Sequence, residues 1–241
     1  MAFVRDAGGL EADRGCFRRG LLYRFSGDLL TQADFDTLRE AEVRVVVDLR
    51  SQSEDREALQ RWAESQRVHY EHAPLDLAQP DLLAAWGSGL TPEEARRWLR
   101  DIYRYLIDHH GPTLAAAIAA ISQRLPAAFG CAAGKDRTGL VAALIQRVVG
   151  ADSSDIAGRF ASDAPSPDAL RPIVRRRRGK TGRLSPGSRT MLSAPAEAMA
   201  GTLDYIDGKF GGVVPYLTGC GLDPESVSTL RHKVVAQRTG T

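Results

Sequence analysis

A chain of 241 residues, 43% of them apolar, is long enough to bury one sizeable core, so one domain with at most an appended subdomain is expected. Its 32 basic residues against 30 acidic ones leave a net charge of +2, which excludes the overall positive field of a nucleic-acid binder. Three scattered cysteines, Cys16, Cys131 and Cys220, exclude a disulfide framework, and with no Cys-x-x-Cys pair or Cys/His cluster they exclude a structural zinc site.

The opening residues lack the apolar stretch of a signal peptide, and the longest clean apolar run, residues 114–121, is far short of the ~20 residues of a membrane span. A cytoplasmic protein in a reducing compartment is therefore expected. Thr31 with Asp34 forms a capping-box-like helix start, followed by Phe35 and Leu38 on one face. Residues 43–49 (Val-Arg-Val-Val-Val-Asp-Leu) read as a buried strand that ends beside Asp48 and Arg50. A second extended stretch is expected over residues 68–75. Thr91-Pro92-Glu93-Glu94 is a strong helix start, and Ala95, Trp98, Leu99, Ile102 and Leu106 follow at helical spacing. Leu114, Ile118 and Ile121 mark another helix, closed by Pro126. Residues 127–130 read as a short strand, and residues 140–149 as a helix stopped by Gly150. Strands separated by helices imply an α/β fold with a mostly parallel sheet covered on both faces. Residues 161–195, rich in Ser, Pro, Arg and Gly, read as a mobile surface segment or a lid rather than core. Two further helices are expected over residues 196–210 and 224–236, the second capped by Asp223.

One segment carries chemistry: Gly130-Cys131-Ala132-Ala133-Gly134-Lys135-Asp136-Arg137-Thr138-Gly139, between a short strand and a helix. Backbone N–H groups in such a loop converge on an anion site, reinforced by the helix dipole. The small residues Ala132, Ala133 and Gly134 let that backbone approach a phosphate closely. The same field stabilises a thiolate at Cys131. The planar fork of Arg137 suits two phosphate oxygens and the charge of the transition state. Covalent phosphoryl transfer through a phosphocysteine is the natural reading. A Walker loop is excluded by spacing, because Gly130 lies one residue too close to Gly134 and Asp136 stands at the hydroxyl position; the second Gly-Lys pair, Gly179-Lys180, has Val174 where the first glycine belongs.

Cys, five residues, Arg, then Thr resembles the signature of the protein tyrosine phosphatase superfamily, and the inner Gly-Lys-Asp-Arg-Thr-Gly resembles its atypical bacterial branch of tyrosine and phosphoinositide phosphatases. Arg5-Asp6-Ala7-Gly8-Gly9, Gly20-Leu21-Leu22-Tyr23-Arg24, Val47-Asp48-Leu49-Arg50-Ser51 and the closing Tyr216-Leu217, Gly221-Leu222 and Leu230-Arg231 are similar to that branch and in its order. The chain departs from it at Gly130, where a histidine is usual, at Phe25, where serine is usual, and at Arg159-Phe160, where Asp-Tyr is common. The resemblance implies one phosphatase domain over residues 1–241, with a mostly parallel central sheet, flanking helices and a helical lid-like insertion at about residues 161–195. It implies hydrolysis of phosphate monoesters without metal or cofactor, on phosphotyrosine foremost and also on phosphoserine/threonine or phosphoinositides. Cys131 would be the nucleophile, Arg137 the phosphate clamp, Thr138 a hydrogen-bond donor to the sulfur and Asp136 the acid/base. Lys135 would touch the substrate phosphate or a second one, Asp48 is a second candidate acid, and Arg50 would orient the site.

Two rival readings stand beside this one. A module with lost turnover would use the same cradle to bind phosphoproteins or acidic lipids, and Gly130 is its argument. Arsenate reduction on a similar loop would need resolving cysteines, for which Cys16 and Cys220 are poor candidates. Histidines 69, 72, 109, 110 and 232 show no ligand spacing. Arg175, Arg176, Arg177 and Arg178 with Lys180 and Arg183 place six positive charges in nine positions, more than the whole chain's net charge. They form either a solvated stretch or a patch for transient contact with anionic membranes or substrates.

Overall fold

The structure, a computed structural model, describes residues 2–12, 15–77, 90–178 and 184–237. The strands are β1 (Val4–Asp6), β2 (Glu11–Ala12), β3 (Gly15–Phe17), β4 (Leu22–Ser26), β5 (Val45–Asp48), β6 (His69–His72), β7 (Ala127–Cys131) and β8 (Val235–Gln237). The helices are α1 (Gln32–Glu40), α2 (Glu57–Gln66), α3 (Pro92–His109), α4 (Gly111–Gln123), α5 (Asp136–Val148), α6 (Ser153–Asp163), α7 (Arg171–Arg178), α8 (Pro186–Leu192), α9 (Ala196–Phe210), α10 (Val213–Gly219) and α11 (Pro224–Thr229).

The central sheet has the order β1-β4-β7-β5-β6, parallel throughout except for β1 against β4. Val45–Val47 of β5 and Ala127–Phe129 of β7 are buried and apolar on both sides, as a doubly covered sheet requires. Alternation along the strands then divides the core in two. Val46, Ala128 and Phe25 join Leu38 of α1 and Leu59 of α2 on one face, while Val45, Val47, Phe129 and Leu22 face the larger cluster built by α3, α4, α5, α9 and α10. β7 runs between β4 and β5, so its carboxyl end opens where an open α/β sheet places its ligand site.

Local capping signals form as expected. Thr31 with Asp34 and Thr91 with Glu94 make complete capping boxes, and Asp223 caps α11 through the Ser226 amide. Three expectations need correction. The final helix ends at Thr229; residues 230–234 form a π-turn and β8 then pairs with β3, which suits the β-branched pair Val234-Val235. The second strand is shorter than expected, His69–His72. Residues 161–195 do contribute core: Leu170, Ile173, Val174 and Leu192 are buried together beside Ala133 and Leu184. Within the basic run, Arg175 and Arg176 are exposed on α7, whereas Lys180 and Arg183 lie outside the described residues. Among the described residues no helix is long and apolar enough to cross a membrane.

Candidate active site

The candidate loop is shaped from below. Its three successive carbonyls at Ala132, Ala133 and Gly134 accept hydrogen bonds from the Asp28 amide (3.0 Å), the Ser26 hydroxyl (3.0 Å) and the Arg24 guanidinium (3.3 Å). Because each peptide is planar and trans, a carbonyl pulled toward β4 turns the following N–H the other way. The amides of Ala133, Gly134 and Lys135 therefore face away from β4, and α5 adds its own unpaired N-terminal amides. Gly134 makes this turn possible. It has φ of 64°, and a Cβ there would collide with the Ser26 hydroxyl and lie 2.7 Å from the Phe25 carbonyl.

Cys131 is 3% exposed at the end of β7. Its N–H donates to Thr138 Oγ1 at 2.9 Å, and the same hydroxyl lies 3.2 Å from Sγ. The amide occupies an acceptor site of the hydroxyl, so its single proton is directed to the sulfur. Arg137, the second residue of α5, donates to Glu54 through both terminal nitrogens, at 2.6 and 3.0 Å. Burial alone would lower the guanidinium, but the charge of Cys131 and the Glu54 carboxylate raise it above its ordinary range. Arg137 is thus a fixed cation, oriented by a fork-to-fork ion pair.

Asp136 opens α5 and accepts two hydrogen bonds on one oxygen. The Tyr103 hydroxyl reaches Oδ1 at 2.6 Å and Lys135 Nζ reaches the same atom at 2.5 Å. Lys135 is buried and also donates to the Ser193 carbonyl at 2.9 Å, so it ties the loop to the end of α8. Asp48 sits elsewhere. It is fully buried, takes a bidentate bond from Arg50 and another from the Tyr70 hydroxyl, and is not among the residues that line the cavity at Cys131. Burial first, then Asp48, pushes the Tyr70 phenol up, so it stays a donor. Arg50 in turn reaches Asp28, whose amide holds the Ala132 carbonyl. The pair braces the loop from behind.

Beneath the loop, buried Arg24 also pairs with Asp163 at 3.0 Å, and Arg159 joins the same carboxylate at 2.7 Å. Arg5 adds a bond to the Asp163 carbonyl, while Asp6 accepts from the amides of Gly8 and Gly20. The amino-terminal segment, α6 and the loop are thereby joined in one polar network.

Gly130 has no room for a side chain. It is registered opposite Phe25, and an added Cβ would strike both the Phe25 ring and the Phe25 carbonyl. The aromatic ring occupies the space that a residue at position 130 would fill.

Above the loop, Leu77, Trp98, Ile102, Ile173, Val174 and Met191 wall a cavity of about 80 Å³ that opens on Cys131, Asp136 and Arg137. This is smaller than the ~300 Å³ of an ordinary small-molecule pocket. Of the expected site residues, the structure gathers Cys131, Ala132, Ala133, Gly134, Lys135, Asp136, Arg137 and Thr138 at one point. It places Asp48 and Arg50 behind that point. The structure adds Glu54, Tyr103 and Ser26 to the site. Nothing local marks them, since Glu54 lies in a polar turn and Tyr103 looks like a helix core residue.

A tyrosine phosphatase family model matches residues 2–236 of the chain. A Cupriavidus necator protein with a provisional tyrosine-protein phosphatase name is 28% identical over 225 residues, covering 89% of this chain and 79% of that protein. The triple specificity protein phosphatase PtpB of Mycobacterium tuberculosis is 29% identical over 252 residues, covering 89% of this chain and 90% of PtpB. Among solved structures, P. aeruginosa TpbA is similar with a TM-score of 0.37 and 20% identity, over 72% of this chain and 86% of that one.

Proposed function

The chain belongs to the tyrosine phosphatase family, which hydrolyses phosphate monoesters through a cysteine, and on that premise we propose which residues carry each step and which substrate they favour. Cys131 Sγ attacks phosphorus in line with the ester oxygen, the P–O bond breaks, and Asp136 delivers a proton to the leaving oxygen. A water molecule then attacks the phosphocysteine, Asp136 takes a proton from it, and inorganic phosphate and the thiolate are released. Thr138 stabilises the departing sulfur with its hydroxyl proton. The loop amides and Arg137 hold the equatorial phosphoryl oxygens, where charge is spread in the transition state. The observation that carries this reading is the thiol at the floor of a loop whose three consecutive carbonyls are tied away from it.

Phosphotyrosine is the substrate we favour. The walls above the cradle are apolar, and Lys135, the cation that could take a second phosphate, is already committed to Asp136 and Ser193. A flat apolar leaving group with one phosphate fits such walls better than a polyphosphorylated headgroup. α7 and α8 cover the cradle, with Ile173, Val174 and Met191 forming part of its apolar wall. Exposed Arg175 and Arg176 on α7 then meet anionic substrates or membranes at the entrance. Gly130 gives no ground for a module without turnover, because Phe25 fills its place and the loop ties stay intact.

The test is turnover of an aryl phosphate by the wild-type protein and Cys131→Ser. The variant should be inactive yet retain a phosphotyrosine peptide, and a chelator should leave wild-type activity unchanged. Wild-type turnover in Cys131→Ser would overturn the reading. A panel of phosphotyrosine, phosphothreonine and inositol phosphate substrates ranks the classes, and a preference for the last would reject the assignment to phosphotyrosine.

A further inference from the structure

Tyr103 stands inside α3, completely buried, and its ring packs edge-on against Phe160 at 6.0 Å between centroids. Phe160 in turn fills the space beside Gly139 of α5, where a Cβ would collide with it. The tyrosine is thus locked by packing on the helix that begins with Asp136. Its hydroxyl and the Lys135 ammonium both end on Asp136 Oδ1, and among the described residues no side chain donates to Oδ2. Burial above all, with the Asp136 charge beside it, keeps the Tyr103 phenol well above the ordinary range, so it donates throughout the working pH range.

We propose that Tyr103 is a positioning residue for the proton-transfer step. With Lys135 it saturates Oδ1 of Asp136 and leaves Oδ2 as the oxygen that carries the transferable proton to the leaving group and later accepts one from water. This rests on the assignment of Asp136 as acid/base made above. The orientation matters because proton transfer requires the donor oxygen within hydrogen-bond reach of the ester oxygen, and a carboxyl group free to rotate meets that demand only part of the time. Lys135 alone fixes one contact; a second donor from a different element fixes the plane.

The experiment measures kcat/KM on a series of aryl phosphates running from dinitrophenyl, which leaves without protonation, to phenyl, which does not. It compares wild type, Asp136→Asn, Tyr103→Phe and the double variant. Asp136→Asn should lose roughly a hundredfold or more on phenyl phosphate and little on dinitrophenyl phosphate. Tyr103→Phe should lose about tenfold on phenyl and less than twofold on dinitrophenyl. In the double variant, Tyr103→Phe should add no further loss on phenyl, because its effect passes through Asp136. A uniform loss across the series in Asp136→Asn would overturn the acid/base assignment itself. A selective loss in Asp136→Asn with a uniform, absent or multiplicative effect of Tyr103→Phe would overturn the positioning role alone. Should Tyr103→Phe fail to fold, Lys135→Met reads out the other donor on Oδ1. The same leaving-group-selective loss supports the two-donor clamp, and an unchanged series overturns it.

Discussion

Glu54 offers the sharpest test of how the arginine is held. The Glu54→Gln substitution keeps the shape of the side chain but presents one acceptor and one N–H2 to a guanidinium that now donates at 2.6 and 3.0 Å to two carboxylate oxygens. One charge-assisted hydrogen bond is lost, which costs about 1.5–3 kcal/mol. Both side chains are largely buried, at 6% and 14% exposure, so the uncompensated charge of Arg137 pushes the total toward the ~3–5 kcal/mol of a broken buried pair. The remaining anchors, the carbonyls of Leu49 and Leu75 at 3.3 and 3.4 Å, are too long to hold the fork in plane. If half or more of that energy appears in the transition state, kcat/KM falls roughly ten- to a hundredfold at 1.4 kcal/mol per decade. The assay is kcat/KM on an aryl phosphate, run beside urea denaturation so that lost fold and lost orientation separate. A folded variant whose kcat/KM stays within twofold of wild type would refute the argument.

Thr138→Val, nearly isosteric, removes the proton aimed at Sγ; kcat should fall about ten- to a hundredfold, with phosphocysteine accumulating in rapid-quench experiments, and an unchanged kcat would remove the hydroxyl from the mechanism. Gly130→Ala should destabilise the protein by roughly 1–3 kcal/mol or more, and adding Phe25→Ala should recover only part, because the Phe25 carbonyl still blocks the new Cβ. A neutral urea midpoint for Gly130→Ala would show that the strand pair can spread. Burial would raise the Asp34 carboxyl, but Thr31 and the amides of Phe3 and Val4 hold it below the ordinary carboxylate range. A depressed folded value means stability that is present above the unfolded pKa and lost as pH falls through the folded one. Asp34→Asn should therefore cost most at neutral pH and progressively less in acid, and a penalty independent of pH would contradict the assignment.

What could be read in advance was what depends on neighbours in sequence. Both helix starts were legible, since Thr31 and Asp34, or Thr91 and Glu94, meet within one turn. The cradle was legible because its nucleophile, its small residues and its arginine lie within one loop. The strands β1, β2, β3 and β8 were not, being two or three residues long and too short to show a period of two. Glu54 and Tyr103 escaped for another reason: they reach the loop from 83 and 33 residues away. The partners of Asp48 are only half legible, because Arg50 is a sequence neighbour whereas the Tyr70 hydroxyl arrives from another strand. The filled space at Gly130 is not legible either, since the ring that fills it belongs to another strand.

The ties that turn the loop carbonyls away from Cys131 have a consequence for how activity first arises in a growing chain. Ser26 and Arg24 lie 107 and 110 residues ahead of the carbonyls they hold. Closing such separations carries a large entropic cost, and it is met when β4 and β7 pair side by side. A nascent or partly unfolded chain thus contains the whole signature from Cys131 to Arg137 without a cradle. The thiol becomes a nucleophile only with the tertiary fold. Loss of turnover in denaturant should coincide with loss of the central sheet, so that catalysis itself reports folding.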